Sequence, residues 1–216
     1  VLVGALGVLL WTTAAVVSVN APSPVLWKLA VVAVLIPLSE LALLHVRYGT
    51  DHFSFTWGDA SLLVGFVLVG PAWFVILAAP GVLLMHVVAG RGWLKSAYNS
   101  ATFTCGASAA FAVAQLAGTR SLSIDTPRSA GVLLLATIVF TFCSHLGTSI
   151  AVAASQQTSF RVVVREGLRI LGLVWLGNVV VGGGVLVLLE RSPTTLVTAS
   201  LVLAAVFFAY RGYLSA

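Results

Sequence analysis

The chain has 216 residues, of which 60% are hydrophobic and only 8% charged, and its mean hydropathy is +1.10. Such a composition lacks the polar residues to cover a water-soluble globule and excludes one, leaving an integral membrane protein. Continuous apolar runs, rather than alternating ones, select helices over a β-barrel, and the net charge of +5 is scattered at segment ends, as expected for orientation signals rather than a nucleic-acid surface.

A spanning helix takes about 20 apolar residues, so the length holds roughly six to eight spans and no soluble catalytic domain. The chain starts at Val1 and stops soon after its last apolar run, which reads as a piece of a longer polypeptide. Span one is expected over Leu2 to Val19, and Asn20-Ala21-Pro22-Ser23-Pro24 makes the first connection. Span two runs from Val25 to His45, with Pro37 removing an intrahelical hydrogen bond just before Ser39 and Glu40. The polar stretch Arg47 to Asp59 follows; within it His52 to Trp57, rich in aromatics and hydroxyls, predicts a short extended segment at the interface.

Residues 60–90 are too long for one span and slightly short for two. Gly70-Pro71 divides them into a short third segment, Ala60 to Val69, and a fourth, Ala72 to Val88, bent at Pro80-Gly81. A segment that crosses only partway is tolerated where protein surrounds it. A basic loop from Arg91 to Lys95 leads to span five, Ser96 to Leu116, and a polar loop to span six, Ser129 to Ala153. Arg161, Arg165 and Arg169 make Phe160 to Arg169 a basic amphipathic interfacial helix, followed by span seven, Ile170 to Leu189, and span eight, Leu196 to Tyr210. The expected fold is an all-α polytopic transmembrane bundle of about eight spans, with seven as the alternative, containing a short Gly-Pro helical hairpin. It forms a single integral membrane domain over residues 1–216. With eight spans, the positive-inside rule places both termini in the cytoplasm.

A charge at mid-helix costs about 2.5–3.5 kcal/mol on insertion scales, so polar residues inside spans need a reason. Thr137, Thr141, Ser144, His145 and Thr148 share one face of span six, which reads either as a lined cavity or as ordinary packing with back-bonded hydroxyls. Asn99 and Asn178 are amides whose buried groups need partners, and helix bridging is the first reading for both. Glu40, His45, His52, His86 and His145 lack metal-ligand spacing, and no HExxH, GxSxG or phosphate-cradling glycine loop is present. No aspartate is expected deep in a span, and no cofactor or metal is implied. Cys105 and Cys143 read as buried thiols rather than a disulfide pair. Pro37, Pro80 and Gly182 to Gly184 are possible bending points.

Ser39-Glu40-Leu41, His45-Val46-Arg47, Thr56-Trp57-Gly58-Asp59-Ala60, Leu68-Val69-Gly70-Pro71, Pro80-Gly81 and Lys95-Ser96-Ala97-Tyr98-Asn99 form a pattern over residues 38–115. It resembles the multi-pass amino-terminal sensor regions of bacterial, actinobacterial-type cyclic-di-GMP signalling proteins, whose outputs are GGDEF, EAL or HD-type domains. The resemblance implies a non-enzymatic sensory or anchoring module in the bacterial plasma membrane. Its signal would pass to a C-terminal cytoplasmic output, such as a diguanylate cyclase or phosphodiesterase domain, in a homodimer. The chain itself has no GGDEF, EAL or HD sequence. Glu40, Asn99, Thr141, His145, Thr148 and Asn178 are the candidate ligand or sensing residues. The Gly-Pro hairpin is also similar to the substrate-binding subunits of energy-coupling-factor vitamin transporters. That alternative implies a small-molecule pocket against the span-six stripe.

Overall fold

A computed structural model describes residues 2–19, 23–41, 44–48, 51–119 and 122–191. Among them are seven helices and one two-stranded ribbon: α1 (Leu2–Val19), α2 (Leu26–Leu41), β1 (Leu44–Tyr48), β2 (Asp51–Phe55), α3 (Gly58–Leu68), α4 (Pro71–Val88), α5 (Trp93–Leu116), α6 (Pro127–Gln156) and α7 (Phe160–Arg191). Three of the helices, α4, α6 and α7, are long and apolar enough to cross a membrane. That is fewer than the eight spans expected. The α2 helix has 16 residues and α3 only 11, roughly 24 and 16 Å at 1.5 Å per residue, against a hydrocarbon core of about 30 Å. The expected eighth span lies outside the described residues.

The polar face of the chain between α2 and α3 is where the expectation and the fold differ most. The expected second span reaches His45, but α2 ends at Leu41 and an antiparallel ribbon follows, with Leu44 opposite Phe55 and Tyr48 opposite Asp51. The extended segment expected at His52 to Trp57 is therefore one strand of a hairpin. Just past it, the Trp57 N–H donates to the Ser39 carbonyl at 3.1 Å, which fastens the start of α3 to the last turn of α2.

The α3–α4 hairpin is the centre of the fold. Gly70 sits at φ 84°, where only glycine is unstrained, and Pro71 opens α4 at a position whose N–H would have no helical partner. Residues 58–66 are all buried, so α3 is enclosed by protein on every side, as a half-length helix in an apolar bundle must be. Its Gly65 lets Phe74 lie directly against it: a Cβ there would fall 2.1 Å from the Phe74 ring. From Phe74 an aromatic series runs through Phe103 to Phe140, with Phe66 edge-on at 5.5 Å, joining α3, α4, α5 and α6.

Close contacts set the directions of the remaining helices. On α5 and α6, Gly106 meets Phe140 while the Tyr98 hydroxyl donates to the Gly147 carbonyl at 2.7 Å, an antiparallel pair. The α6–α7 pair is also antiparallel, with Trp175 against Thr137 and His145 against Val164. The α3 and α7 helices run parallel, since Ala60 packs against Gly182 and Leu63 and Val64 cluster with Leu186. Pro80 lies inside α4 and lacks the N–H that would pair the Ile76 carbonyl; the Trp11 indole of α1 fills that place at 3.0 Å. The outer surface is strongly apolar: Val8, Leu26, Val88, Leu173 and Val180 are each more than half exposed. A surface of that kind suits lipid rather than water.

The α7 helix corrects a second expectation. The amphipathic segment and span seven are one uninterrupted helix of 32 residues, roughly 48 Å long. Nothing breaks it at Arg169-Ile170, because neither residue terminates a helix and both segments share the 3.6-residue period. It also passes unbroken through Gly182 to Gly184.

Candidate functional site

The first turn of a helix leaves four N–H groups without helical partners, and in α3 that turn is buried. The sequence answers with polar side chains from several elements. Asn178, 4% exposed on α7, accepts from the Ala60 N–H at 3.4 Å and donates to the Val174 and Thr56 carbonyls at 3.1 and 3.5 Å. It caps α3 from another helix, which is the bridging role expected of it. The approach is close because Gly182, one turn further along, has no side chain to hold Ala60 away.

Asp59, 6% exposed in that first turn, is hydrogen-bonded through its carboxyl Oδ1 to the Thr141 hydroxyl of α6. Thr141 also reaches the Thr137 carbonyl at 2.7 Å, and the Thr137 hydroxyl accepts the Trp175 indole N–H at 3.0 Å. On the other flank, Glu40 of α2 is 7% exposed; Thr56 lies against its carboxyl, and Asp59 is within electrostatic range. Glu40 Oε2 lies 3.8 Å from His86 Nε2 on α4, and the Arg91 guanidinium donates to His86 Nδ1 at 2.5 Å. A continuous polar cluster thus runs from Arg91 through His86, Glu40, Asp59 and Thr141 to Trp175, linking α2, α3, α4, α6 and α7.

Its depth follows from helix geometry. Thr141 stands 14 residues from the start of α6 and 15 from its end, roughly 21 and 22 Å; Asn178 stands 18 and 13 residues from the ends of α7, roughly 27 and 20 Å. The part of the cluster at Asp59, Thr141 and Asn178 therefore lies near the middle of the two longest helices, where the half-helix α3 presents the positive end of its dipole, while His86 and Arg91 lie at the end of α4.

Three of the six candidate residues, Glu40, Thr141 and Asn178, meet in this cluster. The other three do not. Asn99 is half-buried near the start of α5 with no side-chain hydrogen bond among the described residues. His145 packs its ring on Gly167, where a Cβ would fall 2.1 Å from Cε1, and its Nε2 pairs with the Val164 carbonyl at 3.1 Å, so it joins α6 to α7. Thr148 is exposed. The span-six stripe is accordingly split: Thr137 and Thr141 are buried, Ser144 and His145 half-buried, and the Ser144 hydroxyl is without a partner.

Asp59, expected in the polar stretch ahead of the third segment, stands instead in the first turn of α3, which begins at Gly58, and is buried there. An acidic residue just ahead of an apolar run is a helix-start signal, and that signal would have found it. His86 and Arg91 were also missed as site residues; their pairing depends on the turn after α4, which no periodicity encodes. Among the described residues no group of three His, Cys, Asp or Glu side chains is placed to hold a metal, and both cysteines are free and half-buried.

The chain matches no protein-family model, no curated protein and no solved structure.

Proposed function

We propose that this chain is a membrane-embedded sensory and anchoring module of a bacterial signalling protein, passing a change in helix arrangement to a C-terminal cytoplasmic output domain. The observation that carries the reading is the polar cluster that ties α2, α6 and α7 to the buried N-terminus of α3 and reaches α4 through Glu40. A stimulus shifts such a module only by interacting differently with two arrangements, and a polar junction shared by five helices is where small displacements change the most contacts. The α7 helix holds α3 through Asn178 and ends at Arg191 on the face opposite its start, so the change would pass on to a cytoplasmic output through the expected span eight, which lies outside the described residues. The resemblance over residues 38–115 supports an output of the GGDEF, EAL or HD kind working as a homodimer. Arg91, Lys95, Arg161 and Arg165 all lie toward the end of the bundle where α4 finishes and α5 and α7 begin, which favours that end as the cytoplasmic face of the plasma membrane.

A second reading, a small-molecule permease or energy-coupling-factor-type binding subunit, draws on one specific feature. A half-helix whose N-terminus ends at mid-depth is the arrangement that secondary transporters use around their substrates. Reading the coding frame beyond Ala216 separates the two. The sensory reading expects an in-frame signalling domain whose turnover changes in Asn178→Ala at unchanged membrane abundance. A stop codon there, with a small molecule retained stoichiometrically by the purified protein, would overturn it in favour of the permease.

A further inference from the structure

We propose that the cluster at the α3 N-terminus is a proton-binding site, with the bound proton on the Asp59 carboxyl; this rests on reading the cluster as the working site of the module. Three independent features of the geometry lead there. The Thr141 hydroxyl has one proton but faces two oxygens, the Thr137 carbonyl and Asp59 Oδ1. A carbonyl only accepts, so the two contacts are separate, full hydrogen bonds when the carboxyl brings its own proton and donates to the hydroxyl; otherwise they share the single hydroxyl proton.

The second feature is charge balance. The charged group that faces Asp59 is Glu40 from α2; His86 from α4 and the Arg91 guanidinium from the following loop stand on the Glu40 side, and Lys95 at the start of α5 is exposed. From α6 and α7 only Thr137, Thr141, Trp175 and Asn178 contribute. Because Arg91 donates to Nδ1, the imidazole carries its ring proton on Nε2 and is neutral in this arrangement. The Arg91 charge acts on Glu40, and no cation among the described residues acts on Asp59, so one added proton makes the buried Asp59 carboxyl neutral. An unpaired charge at this depth would be costly.

The third feature is His86 itself, 1% exposed, whose Nε2 has no hydrogen-bond partner and faces Glu40 Oε2 across 3.8 Å. That gap is too wide for a hydrogen bond and leaves a buried donor facing the Glu40 carboxyl. Loss of the proton from Asp59 sets a second carboxylate beside Glu40 at the head of α3 and leaves the Thr141 hydroxyl one proton for both the Thr137 carbonyl and Asp59. Protonation thereby changes how α3 is tied to α6.

Infrared difference spectra of the purified full chain during a pH titration test this directly, without any output domain, so the result is independent of the sensory reading. The wild type is expected to show a protonated-carboxyl stretch that disappears as pH rises. The band should be lost in Asp59→Asn, kept in Glu40→Gln, and kept but moved to higher frequency in Thr141→Val, where the hydrogen-bond acceptor is gone. The proposal is overturned if the wild type shows no such band at any pH that preserves its helical circular dichroism. It is equally overturned if the band survives in Asp59→Asn, or if it responds to sodium at fixed pH. Should Asp59→Asn not fold, an unshifted band in Thr141→Val overturns it.

Discussion

Asn178 satisfies with one side chain two groups that have no other source: an N–H in the first turn of α3 and the Thr56 carbonyl just before it. Replacing it with alanine leaves both buried without water, and we expect Asn178→Ala to cost about 1–2 kcal/mol, measured by equilibrium unfolding in mixed detergent micelles. Asn99→Ala is expected to cost less than about 0.5 kcal/mol in the same assay, because that half-buried amide holds nothing. From sequence the two amides look alike, each an asparagine in an apolar helix. What separates them is which neighbour reaches them: Gly182 lets Ala60 in beside Asn178, and that is a tertiary fact. Glu40 and Thr141 were legible because a polar group in an apolar run demands a partner. Asp59 was not, because it stands at the edge of such a run and reads equally as loop.

At the level of elements, a chain break announces itself more clearly than a continuation. Gly70-Pro71 combines a residue free to take φ 84° with one that can only start a helix, so the α3–α4 hairpin was readable to within two residues. The ribbon at 44–55 was half legible: β2 through its aromatics and hydroxyls, β1 hidden because Leu44-His45-Val46 extends an apolar helix pattern. The unbroken α7 was missed because polarity changes along it while helical phase does not. Pro80 is a break that the fold repairs, its orphaned Ile76 carbonyl being taken by Trp11. We expect Trp11→Phe to destabilise by about 1 kcal/mol in the wild type and by close to nothing in Pro80→Ala, where residue 80 regains an N–H for that carbonyl. A double-mutant cycle on unfolding free energies measures the difference.

For the molecule as a whole, composition dictated the environment and the helices, but not how many helices span. Span counting assumes that every apolar segment crosses alone. Here α3 is covered on all sides, so burial in protein replaces the length that lipid would require. The consequence is a polar junction at mid-depth, fed by residues that sequence distributes over more than 130 positions, from Glu40 to Asn178. This placement is the central claim, because both the proposed relay and the proton site depend on it. Its most direct test is labelling of single cysteines by a membrane-impermeant maleimide in right-side-out and inverted vesicles, with Cys105 and Cys143 replaced by alanine. Gly92→Cys and Asp125→Cys, at opposite ends of α5 and its following loop, should be labelled from opposite sides, and Asp59→Cys from neither until the protein is denatured. Labelling of Asp59→Cys from one side as readily as Gly92→Cys would return Asp59 to a surface loop and contradict the account.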